Sequence, residues 1–261
     1  MSTLVSFHAH PDDEAIPTGG VLAKAADEGH RVVIVFATRG EHGEVARGFL
    51  DEGEELWERR VQECHRSAEV LGAARVEFLG FVDSGMMGTA ENDAPESFWR
   101  ADVDEAAKRL AAILDEEHAD VLTVYDDHGT YGHPDHIQVH RVGVRAAELS
   151  GTPRVYEATH NRDALVRGIE QARAEGFDMS EEIDPADMID FGTREAEITT
   201  EVDVSDYVDR KRAAMAAHAS QISESSFFLS MPREFFARAF GTEWFIRRGA
   251  PAGIHEHDLM D

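Results

Sequence analysis

The chain is nearly without cysteine: Cys64 stands alone among 261 residues. One thiol cannot close an internal disulfide or build a thiolate metal site, and such a chain is at home in a reducing cytoplasm. Long apolar runs are missing too. The longest, such as Val32–Ala37, are of strand length, whereas a bilayer span needs roughly 20 apolar residues. No membrane span is therefore expected. The opening Met-Ser-Thr-Leu-Val carries no basic stretch ahead of an apolar one, so no secretory leader is expected either. Positive charge is scarce: Lys and Arg number 25 against 52 Asp and Glu, a formal net charge of −27. A surface this acidic repels phosphate backbones, which makes nucleic acid a poor partner. Hydrophobic residues still make up 42%, which excludes a disordered chain and suffices for a buried core.

What is present is alternation. Leu4–His8, Val32–Ala37, Val76–Leu79, Val121–Tyr125 and Arg154–Ala158 read as strands. Between them Thr18–Glu28, Glu54–Leu71, Asp102–Glu117 and Ile137–Glu148 read as helices. Leu56, Val61, Cys64, Ala68 and Leu71 fall near helical spacing, and Gly72 suits the cap that follows. Continuous apolar strands are those covered on both faces. The pattern predicts an α/β fold, a Rossmann-like open and mostly parallel sheet flanked by helices, with ligands beyond the carboxyl ends of its strands. Residues 161–201 are acidic, weakly periodic and carry Pro185, and read as an excursion over the site. Ile198–Val204 has strand character, Tyr207–His218 reads as a helix, and Phe227–Phe245 is rich in Phe. A single domain is expected over 1–261, with a core to 160, a C-terminal extension over 161–250 and a tail over 251–261.

Two motifs fall at strand ends. The first is His8-Ala-His-Pro-Asp-Asp-Glu14. His10 and Asp13 are three apart across a turn stiffened by Pro11, so their side chains can converge, and an imidazole with a carboxylate suits a borderline divalent ion such as zinc. Asp12 between them points elsewhere and is left free as a base. Capping at a helix start accounts for one Asp, but not for His-Pro-Asp-Asp-Glu directly after a buried strand. The second motif is Tyr131-Gly-His-Pro-Asp-His136. One imidazole of His133 and His136 can bind the metal while the other faces a substrate. Two His and one carboxylate leave an open position for water, the catalytic arrangement.

Together these motifs resemble the LmbE-like (PIG-L) zinc-dependent de-N-acetylase family. Thr38–Glu44, Arg60 with Glu63, Asp83-Ser84-Gly85-Met86 and Lys211 through His218-Ala-Ser-Gln221 extend the resemblance over about residues 4–248, toward the mycothiol deacetylase and mycothiol-conjugate amidase branch. The resemblance implies His10, Asp13 and His136 as metal ligands and Asp12 as general base. It implies His133, helped by Tyr131, as the group that stabilises the oxyanion or protonates the leaving amine, with Asp135 orienting His133. Arg60 and Asp83 fall where sugar-deacetylase relatives contact substrate. The expected reaction is removal of an acetyl group from an amino-sugar nitrogen or a related amide, and the expected partner is that small molecule. Zinc is the expected cofactor, and the same ligand set accepts iron(II).

Two other readings compete. Non-haem iron oxygenases also use two His and a carboxylate, but on a β-sandwich more often than on parallel α/β alternation, and a free Asp beside the metal favours hydrolysis. A non-catalytic binding protein would have no use for Asp12 and His133. Elsewhere the simpler reading prevails: His140 as an ordinary helix residue, Cys64 as buried filling, and His218 as part of an alanine-rich helix.

Overall fold

The computed structural model describes residues 1–174, 190–251 and 253–261; Pro185 and the middle of the acidic excursion lie outside the described residues. The chain runs β1 (Thr3–His8), α1 (Gly19–Asp27), β2 (Arg31–Phe36), α2 (Leu56–Leu71), β3 (Arg75–Phe78), α3 (Val103–Glu117) and β4 (Val121–Tyr125). It continues through α4 (Gly129–Gly132), α5 (Pro134–Ser150), β5 (Arg154–Thr159) and α6 (Arg162–Ala174). The last part holds β6 (Thr200–Asp203), α7 (Val208–Ala217), α8 (Phe227–Ser230), α9 (Arg233–Phe240) and β7 (Thr242–Arg247). One seven-stranded sheet has the order β3-β2-β1-β4-β5-β7-β6. β1 to β5 are parallel, while β7 runs antiparallel to β5 and to β6.

The strands are buried on both faces because helices cover both. Leu4, Val32, Ile34 and Phe36 pack against Leu22 of α1, Cys64 and Leu71 of α2, and Met215 of α7. Val5, Phe7, Val33 and Val35 pack against Leu110 and Leu114 of α3 and Val139 and Val142 of α5 on the other side. Each such side chain contributes about 1.5–3 kcal/mol by leaving water. This is the expected Rossmann-like sheet. No described helix is long and apolar enough to cross a membrane.

Two elements differ from expectation. α5 begins at Pro134, three residues before Ile137, because Pro suits the first helical position and His133 caps the helix. The excursion opens as a regular helix, α6, where Asn161 Oδ1 accepts the Ala164 N–H at 2.9 Å and Ile169 is buried.

β1 and β4 lie side by side, and the chain steps outward from them in opposite directions, to β2 and β3 one way and to β5 the other. That reversal opens a crevice at the strand ends, where ligands of such sheets bind. Both motifs follow these two strands. α5 lies close on β4 through Gly143, two turns after His136; a Cβ there would stand 2.3 Å from Val124 Cγ1. Gly143→Ala should gain up to about 1 kcal/mol in helix propensity but lose about 1–3 kcal/mol to overpacking. Urea unfolding should show a net loss of stability; a more stable variant would contradict the close approach.

Candidate active site at the switch point

After β1 the chain folds back at once. The His10 N–H donates to Asp13 Oδ2 at 2.8 Å, which closes the turn and sets the His10 ring beside the Asp13 carboxylate, Nδ1 to Oδ2 3.4 Å. Asp12 takes a backbone φ of 103°, a conformation that favours glycine and costs an ordinary residue about 1–3 kcal/mol. The Asp12 carboxylate is 18% exposed and stands 3.5 Å from the Arg60 guanidinium. Burial pushes its pKa up to about 6, against Arg60, and the neighbouring Asp13 adds to the rise.

After β4 a second tight turn does similar work. Asp126 accepts the Thr130 N–H at 2.6 Å and the Thr159 hydroxyl at 2.6 Å. Thr130 is held at φ 65°, and the turn lifts Tyr131 to the surface, 48% exposed. His133 Nδ1 accepts the Asp135 N–H at 3.1 Å. Burial, with His10 and His136 nearby, lowers the His133 pKa to about 4, so the ring is neutral. With Nδ1 occupied as an acceptor, its proton sits on Nε2, and His133 presents a donor.

The two turns meet. Asp13 Oδ1 lies 3.4 Å from His136 Nε2, so one carboxylate bridges the two imidazoles. His136 is buried with the Tyr125 ring stacked on it at 4.4 Å, and neither of its ring nitrogens has a hydrogen-bond partner among the described residues. Buried polar atoms of this kind are rare unless something else satisfies them. One nitrogen each of His10, His133 and His136 falls within 4.8 Å of the others, and so do donor atoms of His10, Asp83 and Asp135. The His10 pKa is raised well above its ordinary value: burial opposes the charge, but Asp83, Asp13 and Asp135 more than offset it. Asp13 is held well below the usual carboxylate range, where His136 and His10 outweigh burial. Two imidazoles and a carboxylate around an unsatisfied centre fit a divalent ion of the zinc or iron(II) type.

Three expected roles change. Asp135 does not hold His133 through its carboxylate. That carboxylate accepts from His10 Nε2 at 3.1 Å, and from the Ser84 N–H at 2.9 Å and the Ser84 hydroxyl, because α5 turns it toward β1. It thereby holds a proton on His10 Nε2 and turns Nδ1 toward Asp13. Arg60 is 3% exposed and spends its guanidinium on Gly40 O at 2.9 Å, Pro11 O at 2.5 Å and Asp12, so it braces the turn from behind and does not offer an open sugar contact. Asp83 does reach the site, with Oδ1 3.5 Å from His10 Nε2, but Gly85 and His42 N–H groups also hold it and only 4% of it is exposed.

Other residues were hard to see from local pattern. His8 and Tyr125 bond at 3.0 Å beneath the site. His218 is fully buried and reaches Glu14 across 204 residues of sequence. The only signal for it was its place in the His218–Gln221 segment of the resemblance. His140 bonds the Tyr125 carbonyl at 3.0 Å and is an ordinary helix residue, as expected.

The chain is similar to known proteins. Residues 5–147 match the family described as PIG-L, GlcNAc-PI de-N-acetylase. A 1D-myo-inositol 2-acetamido-2-deoxy-alpha-D-glucopyranoside deacetylase of Acidothermus cellulolyticus is 40% identical over 100% of this chain and 94% of its own length. One of Thermomonospora curvata is 39% identical over 96% of this chain and 91% of its own. Among solved structures, N,N'-diacetylchitobiose deacetylase from Pyrococcus horikoshii superposes with a TM-score of 0.63 at 20% identity, over 94% of this chain and 83% of that one. GalB, a 4-carboxy-2-hydroxymuconate hydratase from Pseudomonas putida, has a TM-score of 0.61 at 20% identity, over 96% of this chain and 98% of that one. These structural likenesses concern the fold. Carried by its two strand-end motifs and by full-length relatives at about 40% identity, the chain belongs to the PIG-L, GlcNAc-PI de-N-acetylase family.

Proposed function

We propose that this protein is a metal-dependent N-deacetylase whose substrate is an N-acetylglucosaminyl inositol, the compound named for its relatives. One observation carries the chemistry. Asp12 sits between His10 and Asp13 in sequence, yet its carboxylate lies against Arg60 and stays partly open to solvent.

His10, Asp13 and His136 would hold the ion. Zinc suits them best and iron(II) is accepted by the same donors. Such an ion lowers the pKa of water and polarises a carbonyl. Asp12 takes a proton from the attacking water. The amide oxygen gains negative charge as its carbonyl carbon becomes tetrahedral, and the Nε2–H of His133 and the Tyr131 hydroxyl are the donors that meet it. One preorganised donor of this kind can lower a barrier by about 3 kcal/mol. The proton then passes from Asp12 to the nitrogen, the C–N bond breaks, and acetate and the free amine leave. Arg60 keeps the Asp12 carboxylate in place between these steps.

Acetate release from N-acetylglucosaminyl inositol, set beside N-acetylglucosamine and mercapturic-type amides, tests the reading. Turnover is expected to be fastest on the inositol compound; no acetate from any amide would refute the activity. Asp12→Asn should lower kcat by about 10²–10⁴-fold with bound metal unchanged by elemental analysis. His136→Ala should weaken zinc binding by more than about 100-fold, measured by competition with a chelating dye; zinc retained at full affinity would remove His136 from the ligand set.

A further inference from the structure

Resting on the reading of Asp12 as the base, we propose that His218 is a positioning residue for Asp12, acting through the Glu14 carboxylate from the far end of the chain. Glu14 is 1% exposed and has a donor on each side. Its Oε2 accepts the backbone N–H of Asp12 at 3.0 Å. Its Oε1 accepts His218 Nε2–H at 2.6 Å and the Ser67 hydroxyl. A carboxylate accepts only, so the His218 proton is on Nε2. Its Nδ1 has no partner among the described residues, which leaves the Glu14 contact as the ring's hydrogen bond there.

The connection matters because of what Glu14 holds. Asp12 stands at φ 103°, a conformation that persists only when its surroundings impose it. The tie on its N–H is the Glu14 carboxylate, and Glu14 can serve only while its other oxygen is anchored. Ser67 of α2 supplies one anchor and His218 the charge-assisted one. His218 is itself fixed. It caps α7, its carbonyl accepts the N–H groups of Gln221 and Ile222, and Glu63 of α2 takes both the N–H and the hydroxyl of Ser220. Through this segment the C-terminal extension does more than complete the sheet: it locks the angle of the β1 turn from behind. Removing His218 frees Glu14 to swing, and Asp12 relaxes toward an ordinary backbone and out of reach of the water.

The test compares His218→Ala, His218→Gln and Ser67→Ala, with His218→Ala and His218→Gln made also in an Asp12→Asn background. Each is measured for kcat, KM, zinc affinity and thermal midpoint. His218→Ala should lower kcat about 10–100-fold, the range for residues that orient a reacting group, with KM and zinc affinity within about twofold. His218→Gln keeps an N–H near the Nε2 position and should recover most of the loss. In the Asp12→Asn background neither substitution should lower kcat further, because two residues acting in series do not add. If His218→Ala does not fold, His218→Gln and Ser67→Ala carry the test, since Ser67 holds the same oxygen and should show the same kcat-selective loss. An equal loss in the Asp12→Asn background, or a loss in zinc affinity or KM with kcat intact, overturns the inference. An inactive Asp12→Asn beside a fully active His218→Ala overturns it alone; a fully active Asp12→Asn removes the base assignment as well.

Discussion

The Asp13 carboxylate lies 3.4 Å from an imidazole nitrogen on either side, His10 from the β1 end and His136 from the β4 end, in a place nearly closed to water. A buried carboxylate and two imidazoles are costly to bring together unless positive charge is shared among them. The sheet makes the meeting unavoidable. β1 and β4 are neighbours only because the strand order reverses there, and each ends in a turn too tight to let its side chains disperse. The packing that holds α5 on β4, through Gly143, thus decides where His136 stands.

Around that centre the protein uses ordinary capping chemistry for a second purpose. His133 caps α5 with one nitrogen, and so keeps a proton on the other, facing the crevice. Asp135, an acidic residue in the first turn of a helix, suits the dipole there and also orients His10. Asp126 satisfies the strained Thr130 amide and thereby raises Tyr131. In each case a polar group that satisfies the backbone also sets a tautomer or an orientation. Arg60 extends this logic: its positive charge offsets the carboxylates crowded behind the β1 turn, and Gly40, held at φ 68°, leaves room for the guanidinium where a Cβ would stand 2.1 Å from it.

The architecture alone does not settle the reaction, since the same sheet carries a hydratase as well as deacetylases. The segment after β5 ties the two ends of the chain together. That segment adds β6 and β7 antiparallel to the sheet, and its Glu243 accepts the Gly20 and Val21 N–H groups at the start of α1 while pairing with buried Lys211. A negative side chain at a helix N-terminus is favourable, and here it sews the end of the chain to its beginning.

The alternation of apolar strands and amphipathic helices by itself determined the fold class and the side of the sheet where ligands belong, because burial and backbone periodicity are local properties read within a few residues. That His10 and Asp13 would stand together was legible in the same way, since a three-residue spacing across a turn allows few arrangements. Only the tertiary structure decided that the Asp135 carboxylate reaches His10 and not His133, that Arg60 is a buried brace, and that His218 reaches Glu14. Those contacts join residues tens to hundreds of positions apart, and a chain written in one dimension carries no distance between them until the core has closed.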